Sequence, residues 1–262
     1  MRTIRVLIAA ALALCALVAA AGTAPAVPLR TFRGTAFDTC SAPKETLLRA
    51  WWGHSPYRAT GVYIGGAGRA CRQPRLDRDW VRTADRIGWR LLPVYAGSQA
   101  PCATDRHPKP VIDPRHAPQQ GGAQGADAVR NAAALGIRPG SPIFLDMENY
   151  RRGDRACTTA VLRFTAGWAS AVRARGYRPG YYGSAYSGIA DLAAAPSPLV
   201  DEVWYARWDA HPDTGGFRAL PPGRWSGRHR VHQYRGPVKE RYAGAVASVD
   251  RDAVDSPVAI VG

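Results

Sequence analysis

Short runs of β-branched and aromatic residues alternate along this chain with stretches whose apolar positions recur three and four apart. Residues 34–38, 61–65, 90–96, 142–148, 180–184, 202–208, 230–234 and 247–250 predict eight strands. Between them, Trp80, Ala84 and Ile87, and later Val161, Phe164, Thr165, Trp168 and Val172, each mark the buried face of an amphipathic helix. Three helical stretches stop alike, at Gly88-Trp89-Arg90, Gly136-Ile137-Arg138 and Gly176-Tyr177-Arg178, where a left-handed glycine hands the chain to the next strand. Strands alternating with helices imply a parallel sheet. Eight of them in a chain of 262 residues predict an α/β fold, a single closed (β/α)8 TIM-type barrel, less regular in its last third where the helical pattern thins.

The N-terminus stands outside this rhythm. Arg2 and Arg5 precede an apolar run ending in small residues around Ala20 and Ala24, which predicts a secretory signal peptide over residues 1–26 and an exported barrel domain over 27–262. No other stretch approaches the roughly 18 apolar residues needed to span a bilayer, so no stable membrane insertion is expected. Beyond residue 26 four cysteines remain, Cys40, Cys71, Cys102 and Cys157; an even count in an exported chain favours two disulfides over a metal site. Of three possible connectivities, pairing of neighbours (Cys40 with Cys71, Cys102 with Cys157) is favoured, although the sequence alone leaves the choice open.

Charge changes the picture less than its size suggests. The formal net charge is +15, and about +13 without Arg2 and Arg5, but the lysines are only Lys44, Lys109 and Lys239, and the arginines are scattered. No basic run or nucleic-acid motif appears, so nucleic acid is not an expected partner; weak attraction to anionic cell-wall polymers is. Residues 97–125, rich in Pro, Gly, Gln and His, show no periodicity. Following the third strand, they either cover or line a cleft at the barrel mouth or form a disordered insertion. His107 and His116 lie there nine residues apart and form no ligand pair, and no metal is expected.

The candidate chemistry is carboxylate chemistry. Alternation along residues 142–148 turns Ile143, Leu145 and Met147 toward the helices, and Phe144, Asp146 and Glu148 toward the barrel axis. The backbones of the two acids are about 6.6 Å apart along a strand, close enough for repulsion to raise one pKa, as general acid catalysis at an acetal requires. Asp38 ends the first predicted strand and Asp250 the last, and these strands are neighbours in a closed barrel. Crowding four carboxylates without partners costs several kcal/mol, and a ligand-binding cleft accounts for it. Tyr63, Tyr95, Tyr182, Trp204, Trp208, Gln233 and Tyr234 sit at comparable positions, where rings and amides suit sugar faces and hydroxyls; each alone is more often core packing. Residues 183–188 lack the spacing of a nucleophile elbow, and Gly65-Gly66-Ala67-Gly68 does not match a dinucleotide fingerprint. No cofactor is implied.

The motifs Asp38-Thr39-Cys40-Ser41-Ala42-Pro43, Tyr63-Ile64-Gly65-Gly66, Gln99-Ala100-Pro101-Cys102, Asp146-Met147-Glu148 and Ala206-Arg207-Trp208, in this order, resemble the glycoside-hydrolase-like barrel domain of secreted actinobacterial proteins. The resemblance runs from about Leu29 to Val261, and the chain is also distantly similar to the family 25 lysozymes. It implies a (β/α)8 barrel acting on cell-wall glycan. It matches the first-strand Asp to Asp38, the Asp-x-Glu pair to Asp146 and Glu148, the Trp-x-Ala segment to Trp204 and Ala206, the Gln-Tyr to Gln233 and Tyr234, and the final-strand Asp to Asp250. The insertion after the third strand and the four cysteines depart from the lysozymes. The leading expectation is an exported, monomeric hydrolase of β-linked N-acetylated glycan, with Glu148 as general acid, Asp146 stabilising positive charge or orienting the acetamido group, and Asp38 and Asp250 positioning water and sugar. The alternative is a non-catalytic carbohydrate- or peptidoglycan-binding protein on the same barrel.

Overall fold

A computed structural model describes residues 29–104 and 110–262; the expected signal segment and His107 lie outside the described residues. The order is β1 (Thr31–Asp38), α1 (Glu45–Trp51), β2 (Tyr57–Gly65), α2 (Arg78–Ile87), β3 (Arg90–Ala96), α3 (Ala117–Ala134), β4 (Pro142–Met147), α4 (Arg155–Arg173), β5 (Arg178–Ser184), α5 (Gly188–Ala194), β6 (Glu202–Ala206), β7 (Arg230–Tyr242) and β8 (Ala245–Pro257). The strands close in sequence order into one eight-stranded barrel. Gly88, Gly136 and Gly176 all take positive φ, as the three helix stops require. Among the described residues no helix is long and apolar enough to cross a membrane.

Two cores follow from strand alternation. Ala36, Ala59, Leu92, Val94, Phe144, Trp204, Val231 and Val254 fill the barrel axis. Phe37, Leu91, Ile143, Leu145, Met147 and Val203 face outward against Trp80, Phe164, Trp168 and other helix residues. The inward and outward assignment along β4 is thus as the sequence pattern predicts.

The last third departs from a repeating strand-helix unit. β1 to β7 pair in parallel, but β8 is antiparallel to both β7 and β1. The sequence reading of an all-parallel sheet is corrected here. Ala243 and Gly244, both at positive φ, turn β7 directly into β8 as a two-residue hairpin, so no crossover helix is needed. The described residues 207–229, between β6 and β7, run without a helix as well.

Residues 97–125 are also not one unpatterned segment, because α3 begins at Ala117. Its contact face with α4 is built from glycine and alanine, so no apolar stripe marks it in the sequence. A Cβ on Gly121 would lie 2.0 Å from the Phe164 carbonyl oxygen, so this backbone approach requires glycine. The remaining part, between β3 and α3, is ordered where described. Gln99 pairs with Val111 and Ala103 with Tyr150, and a disulfide joins Cys102 to Cys157 at the start of α4. The second disulfide, Cys40–Cys71, links the loops after β1 and β2, which completes the neighbour pairing.

Candidate functional site

The C-terminal ends of the parallel strands open on a cavity of about 200 Å³ lined by Asp38, Tyr63, Asp146, Glu148, Asp250, Arg69 and the Cys40–Cys71 bridge, among others. All four acids singled out in the sequence therefore meet at one mouth. Each arrives by alternation. Asp38 follows Ala36 on the inner face of β1, and Asp146 and Glu148 follow Phe144 at the end of β4. Asp250 arrives by a different route from the one expected. It does not end its strand; it lies in the first half of β8, which runs down from the mouth and sets Asp250 directly opposite Asp38. Facing residues on antiparallel strands hold their Cβ atoms about 5 Å apart.

The same inner face of β8 carries Asp252 two residues further on, fully buried and missed in the sequence reading because the strand was expected to end at Asp250. Asp252 accepts a hydrogen bond from Trp204 Nε1 at 2.9 Å. Asp38 lies diagonally across the β1–β8 ladder from Asp252, and the charge of one disfavours ionisation of the other. Gly61 makes room for Asp38 and Trp204, since a Cβ there would lie 2.7 Å from both Asp38 Cβ and the edge of the Trp204 ring.

Burial, then the charge of Asp250, pushes Asp38 up to about 8, against the lowering effect of its bond from Gln233. Burial and then the charge of Glu148 push Asp250 up to about 6. Asp252 is held well above the usual carboxylate range by burial and by Asp38. Tyr63 and Tyr182 are pushed well above the ordinary phenol value by burial and the surrounding acids, which leaves both as neutral hydroxyls.

One side chain ties this wall together. Gln233 Nε2 donates to Asp38 at 2.8 Å and to Asp250 at 3.5 Å. Its Oε1 accepts from Tyr182 Oη at 3.2 Å and from Trp208 Nε1 at 3.0 Å. Trp208, on the loop after β6, is 61 % exposed, so its ring stays open to solvent while its Nε1 is bonded to Gln233. Tyr186, after β5, is exposed to a similar degree and was not singled out from the sequence.

The opposite wall is held by Gln99, which opens one of the motifs that carry the resemblance but was not singled out as a site residue. It is buried, its Nε2 donates to the Asp146 carbonyl at 3.0 Å, and its Oε1 accepts from the Glu148 backbone N–H at 2.7 Å.

Of the six aromatic candidates Tyr63 lines the cavity, and Tyr95, Tyr182, Trp204, Trp208 and Tyr234 do not. Tyr95 is one residue out of phase with Val94, faces α3 and donates to Asp127 at 2.9 Å. Tyr234 shares the outer face of β7 with His232, their rings 6.1 Å apart, while Val231 points inward. Trp204 points inward but is buried beneath the mouth, edge-on to Phe144 and Tyr182, where it serves Asp252. His116, on the loop before α3, is exposed and bonded to Asp113. Among the described residues no group of three or more His, Cys, Asp or Glu side chains is arranged to hold a metal ion.

Comparison with known proteins places this arrangement. Among curated proteins none matches the chain in sequence. Solved structures share the fold. An uncharacterised protein of B. stearothermophilus superposes with a TM-score of 0.56 at 19% identity, covering 84% of this chain and 95% of that one. The Tat-secreted protein Rv2525c of Mycobacterium tuberculosis, in complex with L-tartrate, gives a TM-score of 0.54 at 15% identity over 85% and 96%. The modular autolysin LytC of Streptococcus pneumoniae, in complex with a synthetic peptidoglycan ligand, gives 0.53 at 12% identity, over 87% of this chain and 46% of that one. The model of one family, the Rv2525c-like, glycoside hydrolase-like domain, matches residues 49–254. With most of the barrel inside that match, the chain belongs to the Rv2525c-like glycoside hydrolase-like domain family.

Proposed function

We propose that the chain is an exported glycoside hydrolase acting on an N-acetylated cell-wall glycan. The observation that carries this reading is the convergence of Asp38, Asp146, Glu148 and Asp250, with Tyr63, on one cavity at the strand ends. Glu148 delivers the proton to the leaving oxygen, and Asp146 faces the positive charge that develops on the sugar ring. Asp250, ionised above about pH 6, orients the attacking water. Asp38, pushed up to about 8, stays protonated at neutral pH and offers a neutral carboxyl to sugar hydroxyls. Trp208 and Tyr186 offer exposed rings to neighbouring sugars. The peptidoglycan ligand of the autolysin neighbour supports the substrate class. Export is supported by the two disulfides and by the Tat-secreted neighbour.

One observation favours a second reading, a barrel that binds glycan without cutting it. The cavity of about 200 Å³ is smaller than the ~300–1,000 Å³ usual for small-molecule sites. Incubating residues 27–262 with purified cell walls and with chitooligosaccharides, followed by mass spectrometry, separates the two. Fragments with new reducing ends support hydrolysis, binding without products supports the second reading, and neither binding nor products rejects both.

A further inference from the structure

The backbone ladder between β3 and β4 ends at the pair Ala96 and Asp146. Glu148 lies two residues beyond it, past the last strand residue, Met147. β5 still pairs with Met147 on one side, but on the β3 side something other than strand backbone must take over the ladder. The Gln99 side chain does so. Its amide nitrogen donates to the Asp146 carbonyl and its amide oxygen accepts the Glu148 N–H, the donor and acceptor pattern that one residue of a neighbouring parallel strand presents. We infer that Gln99 is a positioning residue for Glu148: its carboxamide extends the barrel ladder by one step and fixes the direction in which Glu148 enters the cavity.

The loop that carries Gln99 is built to hold it still. Its own N–H donates to the Pro110 carbonyl at 2.7 Å, and its carbonyl accepts from Ile112 at 3.0 Å. Next to it, the Ser98 N–H donates to Gln124 Oε1 and the Gln124 amide donates back to Ser98 Oγ, which pins the loop to α3. On its far side Thr104 donates to the Asn149 carbonyl and Arg151 to the Cys102 carbonyl. The Cys102–Cys157 bridge closes that end. The loop after β3 is a splint along the end of β4, and Gln99 is its point of contact with the acids.

The inference rests on Glu148 acting as the proton donor, and its test separates the two claims. The probe is chitooligosaccharide turnover across a pH series, with Gln99→Leu and Gln99→Glu compared with the unmodified chain. Gln99→Leu removes both bonds, and kcat falls about 100-fold, the usual scale for a small misplacement of a reacting group, with KM changed by less than about threefold. Gln99→Glu keeps the acceptor but regains the donor only when the introduced carboxyl is protonated. Its kcat relative to the unmodified chain therefore climbs about tenfold as the pH is lowered, while the ratio for Gln99→Leu stays flat. A purely structural role moves stability without this pH-dependent rescue. Hydrogen exchange gives a readout independent of turnover: the Glu148 amide loses protection in Gln99→Leu and keeps it in Gln99→Glu. Absence of turnover in the unmodified chain overturns the assigned chemistry and leaves the exchange result to judge Gln99. Turnover with kcat unchanged in Gln99→Leu, a flat Gln99→Glu ratio, or an equally protected Glu148 amide in all three overturns the positioning role. Should Gln99→Leu fail to fold, Gln99→Glu decides by its pH dependence alone.

Discussion

On the β4 side of the mouth, Asp146 and Glu148 follow one another on a single strand, and the backbone beneath them is bonded to an amide brought in by a cross-linked loop. On the β1–β7–β8 side, Asp38, Asp250 and Asp252 come from two antiparallel strands, their pKa values raised by burial and mutual repulsion, and they are held by donors from Gln233 and Trp204. The first wall depends on covalent and backbone scaffolding, which is insensitive to pH. The second depends on protonation state, so its stability and its chemistry both respond to pH. A barrel of the same strands can thus fix one acid rigidly while tuning others.

The largest effect expected from this contrast is loss of the disulfide on the β4 side. Replacing Cys102 and Cys157 by serine releases a loop with a sequence separation of 55, against 31 for Cys40–Cys71. Chain entropy puts the cost at about 4 kcal/mol, slightly more than for the shorter loop. Denaturant melts of the two double variants measure both, and the loss should be equal at pH 5 and pH 8; a pH-dependent loss would break the contrast.

Next in size is Asp250→Asn. Because Asp250 ionises at about 6, glycan turnover should rise with pH through that value. The variant should be slower by about 100-fold above it and should lack that limb. A limb unchanged in position would remove Asp250 from the reaction.

Smaller still is the stability effect of Asp38→Asn. The folded-state value of Asp38 is raised from 3.8 to about 8, so the native state binds this proton more tightly than the unfolded chain. The resulting stabilisation is complete below pH 3.8 and is lost as the pH rises toward 8. A neutral amide that still accepts from Gln233 escapes that loss. Calorimetry should show the variant's melting temperature above the unmodified chain's by about 3 °C at pH 8, equivalent to on the order of 1 kcal/mol, and no gain at pH 4. The smallest effect belongs to Trp208→Ala, which removes an exposed ring and should weaken glycan binding about fivefold, with the melting temperature unchanged.

Much of this architecture is legible in the sequence, because alternation and glycine stops are local. The β3 limits, the inward turn of Asp146 and Glu148, and the closing glycines at 88, 136 and 176 all follow from neighbouring residues. Direction is not local. A period of two reads the same up or down a strand, so nothing in residues 247–250 reveals that β8 is antiparallel, and Asp252 escapes notice as a result. Tyr95 and Tyr234 show how a slip of one residue exchanges a cavity position for an outward one. Gln99 opens a motif that carries the resemblance, but its part in the site is not legible, for a third reason. Its role is a side chain replacing backbone, and no composition or spacing encodes that.

The most direct measurement is the release of reducing ends from chitooligosaccharides by Glu148→Gln beside the unmodified chain, with binding followed by calorimetry. The account predicts cleavage by the unmodified chain, a loss of at least about 1,000-fold in the variant, and affinities within a factor of about three. Equal turnover by both proteins would contradict it.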